Sequence, residues 1–543
     1  MSYDYIIIGA GSAGSILAAR LSEDPKTRVL LLEAGGSDRS FWFDMPAGYA
    51  RNYFNPKTNW MYSSEPEAAM GGRRIYAPRG KVQGGSGSIN AMIWVRGHRS
   101  DFDDWRDAGN PGWGYDDVLP WFRKLEAHPL GDTQWHGADG PVGITPMKEG
   151  AHPVCNHFLE AAREMGAPMN EDFNGADLEG AGIYEANIAH GKRQSSSKTY
   201  LKSALKRPNL TLRLNVEVTG IDIDDTDRAT GVRFRSKKGE ELATAAREVI
   251  LSAGAVASPK LLMLSGVGDP KELKAHGITP KVALPSVGRG LQDHLCASYY
   301  YQTKVPTLND VLRPWWGKLW AGMQYVLARR GPLALSVNQA GGFFRADPSN
   351  DAPNIQLYFN PMSYRVPEST KAKLQPEPYS GFLFAFNACR PESRGSVTLA
   401  SNDPLAAPLI RPNYLATERD RNDVVQAGKL VRRFMEMPAL KDITTKEVSP
   451  GLDCARDEDM LEHMRKEGGS IYHLCGSCPM GPDPATSVVD ATLKVHGVRG
   501  LRVVDASIFP NITSGNINAP VMMVAEKAAH MIKTTIRQTH DAG

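Results

Sequence analysis

At 543 residues, 41% hydrophobic and 23% charged, the chain is far longer than a modal domain of ~100 to 150 residues and too apolar for intrinsic disorder. Lys+Arg 63 against Asp+Glu 60 leaves +3 with no long run of one sign, which excludes a nucleic-acid footprint and suits a small neutral or weakly charged ligand. Six scattered cysteines (Cys155, Cys296, Cys389, Cys454, Cys475, Cys478) are too few for a disulfide framework of this size, so a reducing compartment is expected.

The first residues carry Asp4 and no basic stretch, unlike a secretory signal. Val249 to Gly268, the least polar stretch, is interrupted by Pro259 and Lys260, so it does not read as a membrane span. A cytoplasmic protein is the expectation.

Tyr5 to Ile8 is a short β-branched run that leads into Gly9-Ala10-Gly11-Ser12-Ala13-Gly14. Ser15 to Leu21 has helical composition, and Arg28 to Leu32 reads as a second strand. This is a βαβ unit. Its first glycine permits a tight turn, the second lets backbone approach a pyrophosphate, and the third lets helix and strand pack closely. The helix N-terminus, at Ser12 and Ala13, then favours phosphate charge. Glu33, followed by Ala34, ends the second strand 19 residues after Gly14, where a carboxylate accepts the ribose hydroxyls of an adenosine. FAD and NAD both use such a unit, so it predicts a dinucleotide without choosing between them.

The rest of the chain chooses. Gly80-Lys81-Val82-Gln83-Gly84-Gly85-Ser86-Gly87-Ser88-Ile89-Asn90 and the segment from Gly254 to Gly268 resemble the two signatures of the glucose-methanol-choline (GMC) oxidoreductases. Val287 to His294, His473 to Gly481, Val504 to Ser507, and Asn516-Ile517-Asn518-Ala519-Pro520 extend the resemblance from residue 3 to about residue 535. It implies an α/β (α+β overall) fold: a Rossmann-like FAD-binding domain with an inserted substrate domain built on an antiparallel sheet. It also implies FAD contacts at Val82, Gly84 and Gly85, along Asn90, Ala91, Met92 and Ile93, at Val218, at Ala253 and Gly254, at Asp505 and Ala506, and at Asn518 and Pro520. Asp505 reads equally as a helix cap. Gln83, Ser477 and Pro479 depart from the usual family residues, which bears on pocket detail. Ile89 stands where some members carry a histidine tied to the flavin, so non-covalent FAD is expected.

Alcohol oxidation by hydride transfer to flavin N5 needs a base for the hydroxyl proton. Of 13 histidines, most lie in polar or loop-like sequence, and His294 sits in a structural-looking Gln-Asp-His segment. His473 resembles the family's catalytic histidine. By the same resemblance the second group, a histidine or asparagine in other members, falls at Asn518, expected to orient the alkoxide oxygen. Cys475 and Cys478 form a CxxC pair, but no thioredoxin-like context surrounds it and no further ligand pair completes a zinc site, so no metal is expected.

Between about residues 301 and 469 the glycine fingerprints give way to strand-like runs such as Asn354 to Phe359 and Ser380 to Ala388. The expected domains are therefore 1–155, 195–300 and 470–543 for FAD, and 156–194 and 301–469 for substrate. Gln339 stands where choline-handling relatives place an acid, and with Phe359 it is expected to line the substrate pocket. The neutral amide favours an uncharged aromatic or aliphatic primary alcohol, oxidised to the aldehyde with oxygen or a quinone-type compound as acceptor. Choline oxidation is the alternative, and a lyase or photoenzyme on the same fold is the other. Pro314-Trp315-Trp316-Gly317-Lys318-Leu319-Trp320 reads as a helix packed on its own domain, with a peripheral membrane contact or a gate as competing readings. The sequence leaves the oligomeric state open.

Overall fold

The computed structural model describes residues 2–365 and 374–541. Two seven-stranded sheets organise it.

The first sheet grows from the apolar runs of the N-terminal unit. Strands Leu210–Leu214, Val29–Glu33, Ser2–Ile8 and Gly239–Leu251 lie side by side in parallel register, and Leu501–Val503 extends the far edge. Ile6, Ile7, Leu30, Leu31, Val249 and Ile250 are buried without polar alternation, as strands covered on both faces require. Glu217–Ile223 and Ala229–Ser236 add an antiparallel meander. The crossover helix Ser12–Leu21 packs against the C-terminal helix Asn518–Asp541. Gly14 lets the same helix lie close against the first strand and its turn: a Cβ there would lie 1.9 Å from the Gly9 carbonyl oxygen.

The second sheet is antiparallel, in the order Thr444–Ser449, Leu295–Thr303, Gly381–Ala388, Ile355–Asn360, Ala340–Phe344 and Gly180–Ile183. Gly469–Ser470 also pairs with Leu295–Thr303, so the chain enters the His473 segment directly from this sheet. Side chains alternate along a strand. Ile355, Leu357 and Phe359 accordingly join Phe158, Phe382, Phe384 and Phe434 in one core beneath the helices Val154–Glu164 and Glu418–Glu436. Gln356 and Tyr358 point to the opposite side.

The tryptophan-rich stretch forms the helix Trp315–Ala328, but its large apolar side chains face outward and do not pack on their own domain. Its inner side is Gly317, Ala321 and Tyr325, small or narrow enough to sit close to the protein. No helix among the described residues is long and apolar enough to cross a membrane.

Candidate active site

The glycine loops build a groove at the end of the parallel sheet. Helix Ser12–Leu21 begins at Gly11, which has no side chain with which to cap it, so its first amides are free to meet an anion. The loop Gly84 to Gly87 lies directly on this terminus. The Gly84 amide donates to the Ala10 carbonyl (2.7 Å), and a Cβ on Gly85 would lie 2.7 Å from the Gly11 Cα. Glu33 accepts from the Ala10 amide (2.9 Å) and the Gly35 amide (2.8 Å), and burial raises its carboxyl to about 7. Val82 bridges to Gly36 beside it, and Ala34 links Glu33 to that turn.

Asp505 accepts from the Gly254 amide (2.8 Å), the Ser258 hydroxyl (2.6 Å) and the Ser507 amide (2.8 Å), so it caps the turn at Ala506 and ties it to Ala253-Gly254. Val218 is buried in the meander beside Phe234. Asn90 Oδ1 accepts from the Met92 amide (3.2 Å) and from Arg193 (2.6 Å). Met92 holds a left-handed backbone at φ 66°, and Ile93 bridges to Ala186. Ala91 lies between Asn90 and Met92.

Arg193 tests whether this groove fits an anionic dinucleotide. Its guanidinium is fully buried, donates to the Gly87 carbonyl (3.2 Å) and Asn90, and leaves Nε and Nη2 without a partner. Burial, opposed in part by Tyr49, lowers it to about 9. A buried cation held by two neutral acceptors is costly unless an anion joins it. FAD brings phosphates and a flavin that becomes anionic on reduction, so the donor set fits that cofactor.

At the other end of the groove stands His473, buried and set by its neighbours. Tyr472, before it, is held in a left-handed backbone (φ 73°) while Arg79 donates to its carbonyl (2.6 Å). The His473 amide donates to Asp293 Oδ1 (2.7 Å), and Asp293 Oδ2 accepts from Ser470 (2.5 Å) and Tyr414 (2.6 Å).

The ring is fixed by a chain of single donors. His294 Nε2 lies 2.8 Å from the Cys389 carbonyl, which only accepts, so that nitrogen carries the proton. Neutral His294 then has only a lone pair at Nδ1, 2.8 Å from His473 Nδ1. His473 must therefore be protonated at Nδ1, which leaves its Nε2 as a base. That nitrogen lies 3.2 Å from the Asn516 amide nitrogen. Burial, then His294 and Arg79, pushes the His473 imidazolium well below the ordinary 6.5, so the ring is neutral near pH 7.

The structure does not bring Asn518, the expected second group, to His473. Asn518 opens the C-terminal helix with Pro520 in the same turn, and its Oδ1 accepts from Ser12 (2.8 Å) in the dinucleotide groove. Two residues earlier, before the helix begins, Asn516 points to His473 and receives the Tyr358 hydroxyl (3.3 Å) and the Gln356 amide (3.5 Å). Phe359 is in the aromatic core on the other face of its strand, so it does not line this site. Gln339 is buried, with its Oε1 occupied by the His152 amide (2.7 Å) and the Cys155 thiol (3.8 Å), and it is not grouped with His473. Sequence reasoning passed over Asn516, His294, Arg193 and Tyr358. Asn516 was legible from its place in the same motif, and Tyr358 from strand alternation with Phe359.

An anion-binding helix terminus and glycine loop, joined to a neutral histidine and an amide at one end, define a dinucleotide-dependent oxidoreductase. The sequence matches the GMC oxidoreductase family over residues 3–296 and again over residues 391–525. It is 41% identical over 541 residues to an oxygen-dependent choline dehydrogenase of Escherichia coli (strain K12), covering 98% of this chain and 96% of that protein. Shigella flexneri serotype 5b has a relative with the same name, identity and coverage. Among solved structures, pyridoxine 4-oxidase from Mesorbium loti superimposes with a TM-score of 0.88 at 33% identity, over 97% of this chain and 98% of that one. A formate oxidase superimposes with a TM-score of 0.91 at 28% identity, over 99% of each. The chain belongs to the GMC oxidoreductases, and it is an FAD-dependent oxidoreductase acting on CH–OH donors.

Proposed function

We propose that the enzyme oxidises an uncharged primary alcohol to its aldehyde, with His473 as base and Asn516 as the hydrogen-bond donor to the substrate oxygen. The observation that carries this reading is the lone pair left at His473 Nε2 by the His294 relay, beside the Asn516 amide. The alcohol O–H donates to that lone pair and transfers its proton there as the carbon gives up hydride. The Asn516 amide steadies the negative charge that develops on oxygen. Bound FAD supplies the hydride acceptor. Ser88, Ile89, Asn90, Ala91, Met92 and Ile93 place no histidine, cysteine or tyrosine along the segment expected beside the flavin, which supports non-covalent attachment. Acid precipitation should then release all the yellow colour into the supernatant.

Charge supports a neutral substrate. Arg79 acts on His473 and Arg193 on Tyr49, and the carboxylate beside His473, Asp293, already accepts from the His473 amide, Ser470 and Tyr414. It has little left to offer a quaternary ammonium. The tyrosines offer it π-faces, and the resemblance to choline dehydrogenases favours choline as the second reading.

The test is anaerobic mixing of the holoenzyme with choline and with benzylic, pyridinic and aliphatic alcohols while flavin absorbance near ~450 nm is followed. Bleaching by neutral alcohols well ahead of choline is expected, and the reverse order replaces the proposed substrate class. Colour returning in air marks oxygen as the acceptor, and colour returning only with a quinone marks a dehydrogenase. His473→Ala should lower turnover by roughly 10²-fold or more with FAD still bound. Turnover near wild type in that variant removes His473 from the mechanism.

A further inference from the structure

The helix Trp315–Ala328 presents its apolar side to solvent. At about 100° per residue, Trp315, Trp316, Leu319, Trp320, Met323, Val326 and Leu327 fall within one arc of about 140°. Trp315 is 72% exposed, Trp316 63%, Trp320 57% and Leu327 84%. The opposite arc, Gly317, Ala321 and Tyr325, is buried. There a Cβ on Gly317 would lie 2.0 Å from the Val311 carbonyl oxygen, so the helix cannot roll its large side chains inward. More than half of the large apolar side chains exposed among the described residues are on this one helix. Concentration on that scale marks a binding surface.

The occupant is indicated by charge. Arg313, Lys318 and Arg330 flank the stripe, Arg329 lies over the inner Tyr325 ring, and no aspartate or glutamate occurs from residue 313 to residue 330. Arg313, Lys318 and Arg330 are exposed. The segment thus carries more positive charge than the whole chain's net +3. A second copy of this chain, seated symmetrically, would set these cations against one another, and the neighbouring acid, Asp310, is already hydrogen-bonded to Ser380 and Thr307. Tryptophan adds a large apolar ring with one N–H donor, suited to a boundary between hydrocarbon and water.

We infer that this helix docks the enzyme on an anionic phospholipid bilayer. It lies in the headgroup plane, with its tryptophan, leucine, methionine and valine side chains in the acyl boundary and its basic residues at the phosphates. The helix rests on Met45 and Trp42. The segment they open continues to Tyr53, whose ring lies 5.5 Å from that of Tyr472 beside His473. The inference does not depend on which alcohol is oxidised.

The test uses purified FAD-loaded enzyme sedimented with vesicles of phosphatidylcholine alone or of phosphatidylcholine with a quarter phosphatidylglycerol. Partition onto the anionic vesicles should exceed that onto the neutral ones by roughly tenfold and weaken as salt is raised. Trp316→Ser with Trp320→Ser should lower anionic partition by roughly tenfold or more. Lys318→Glu with Arg330→Glu should abolish the preference for phosphatidylglycerol. Both variants should keep their flavin absorbance and their turnover with a water-soluble alcohol. Wild-type enzyme left in the supernatant with either vesicle overturns the inference, as does a tryptophan variant that partitions like wild type. If sedimentation velocity shows a dimer that these substitutions dissociate, and vesicles are not bound, the face is a self-association surface and the bilayer is excluded.

Discussion

At the scale of single residues, two asparagines that are two positions apart face different groups. Asn516 faces His473 Nε2, whereas Asn518 faces Ser12 at the helix terminus. Asn516→Ala should lower the flavin reduction rate by ~10² to 10³, the usual effect of removing one donor to a developing oxyanion, while leaving FAD content intact. Asn518→Ala should leave the reduction rate of loaded enzyme near wild type and weaken FAD retention on dialysis. Rapid-reaction absorbance and flavin content separate the two, and reversed effects would return the alkoxide role to Asn518. The pH profile follows from the same geometry. A base must be deprotonated to act, and the His473 imidazolium is depressed below 6.5 by burial, His294 and Arg79. The acid limb of kcat/KM should therefore lie below pH 6.5, with activity flat through neutrality. A limb above pH 7 would show that the free enzyme's base is not this buried ring. The sequence could not reveal the relay, because His294 is 179 positions from its partner and only the fold brings them together.

At the scale of elements, what was legible divides by how local its cause is. The βαβ unit was readable because strand, glycines, helix and acid follow one another in sequence, although only Gly14 answers a contact within the unit, while Gly9 meets Ser252 and Gly11 meets Gly85. The pocket was not. All six residues of Ile355–Asn360 are buried, so polarity gives no sign of which face meets the site. Phe359 then looks like a pocket residue although alternation turns it toward Phe158 and Phe384. Phe359→Ala should destabilise the protein by ~3 to 5 kcal/mol through lost burial and the cavity left behind. KM for the alcohol should change little. Denaturant unfolding and steady-state kinetics check this, and a large rise in KM with unchanged stability would place Phe359 in the pocket. The tryptophan helix was misread for a related reason. Its composition announces an amphipathic helix, but only the close backbone contact at Gly317 decides which side faces inward.

At the scale of the whole molecule, the segments expected to hold the dinucleotide come from far apart: residues 9–14, 33–36, 82–93, 193, 253–254, 505–506 and 518. A ligand seated there braces loops that the two sheets alone do not tie together. Because FAD binds the folded chain, it should stabilise it by about RT ln(1 + [FAD]/Kd), or about 4 kcal/mol at a thousandfold excess over Kd. Stripping FAD should lower Tm, and adding it back should restore Tm in a concentration-dependent way. Arg193 sharpens the prediction. Without its anion this residue is a buried cation with two unpartnered nitrogens, which penalises the FAD-free fold, whereas with the anion it strengthens binding. Arg193→Met should therefore raise the Kd for FAD while costing the FAD-free protein little stability, so the gap in Tm between loaded and stripped enzyme narrows. Calorimetry of the stripped and loaded forms measures that gap directly. An undiminished gap in the variant would mean that the Arg193 charge is answered within the protein and that the cofactor's anion lies elsewhere in the groove.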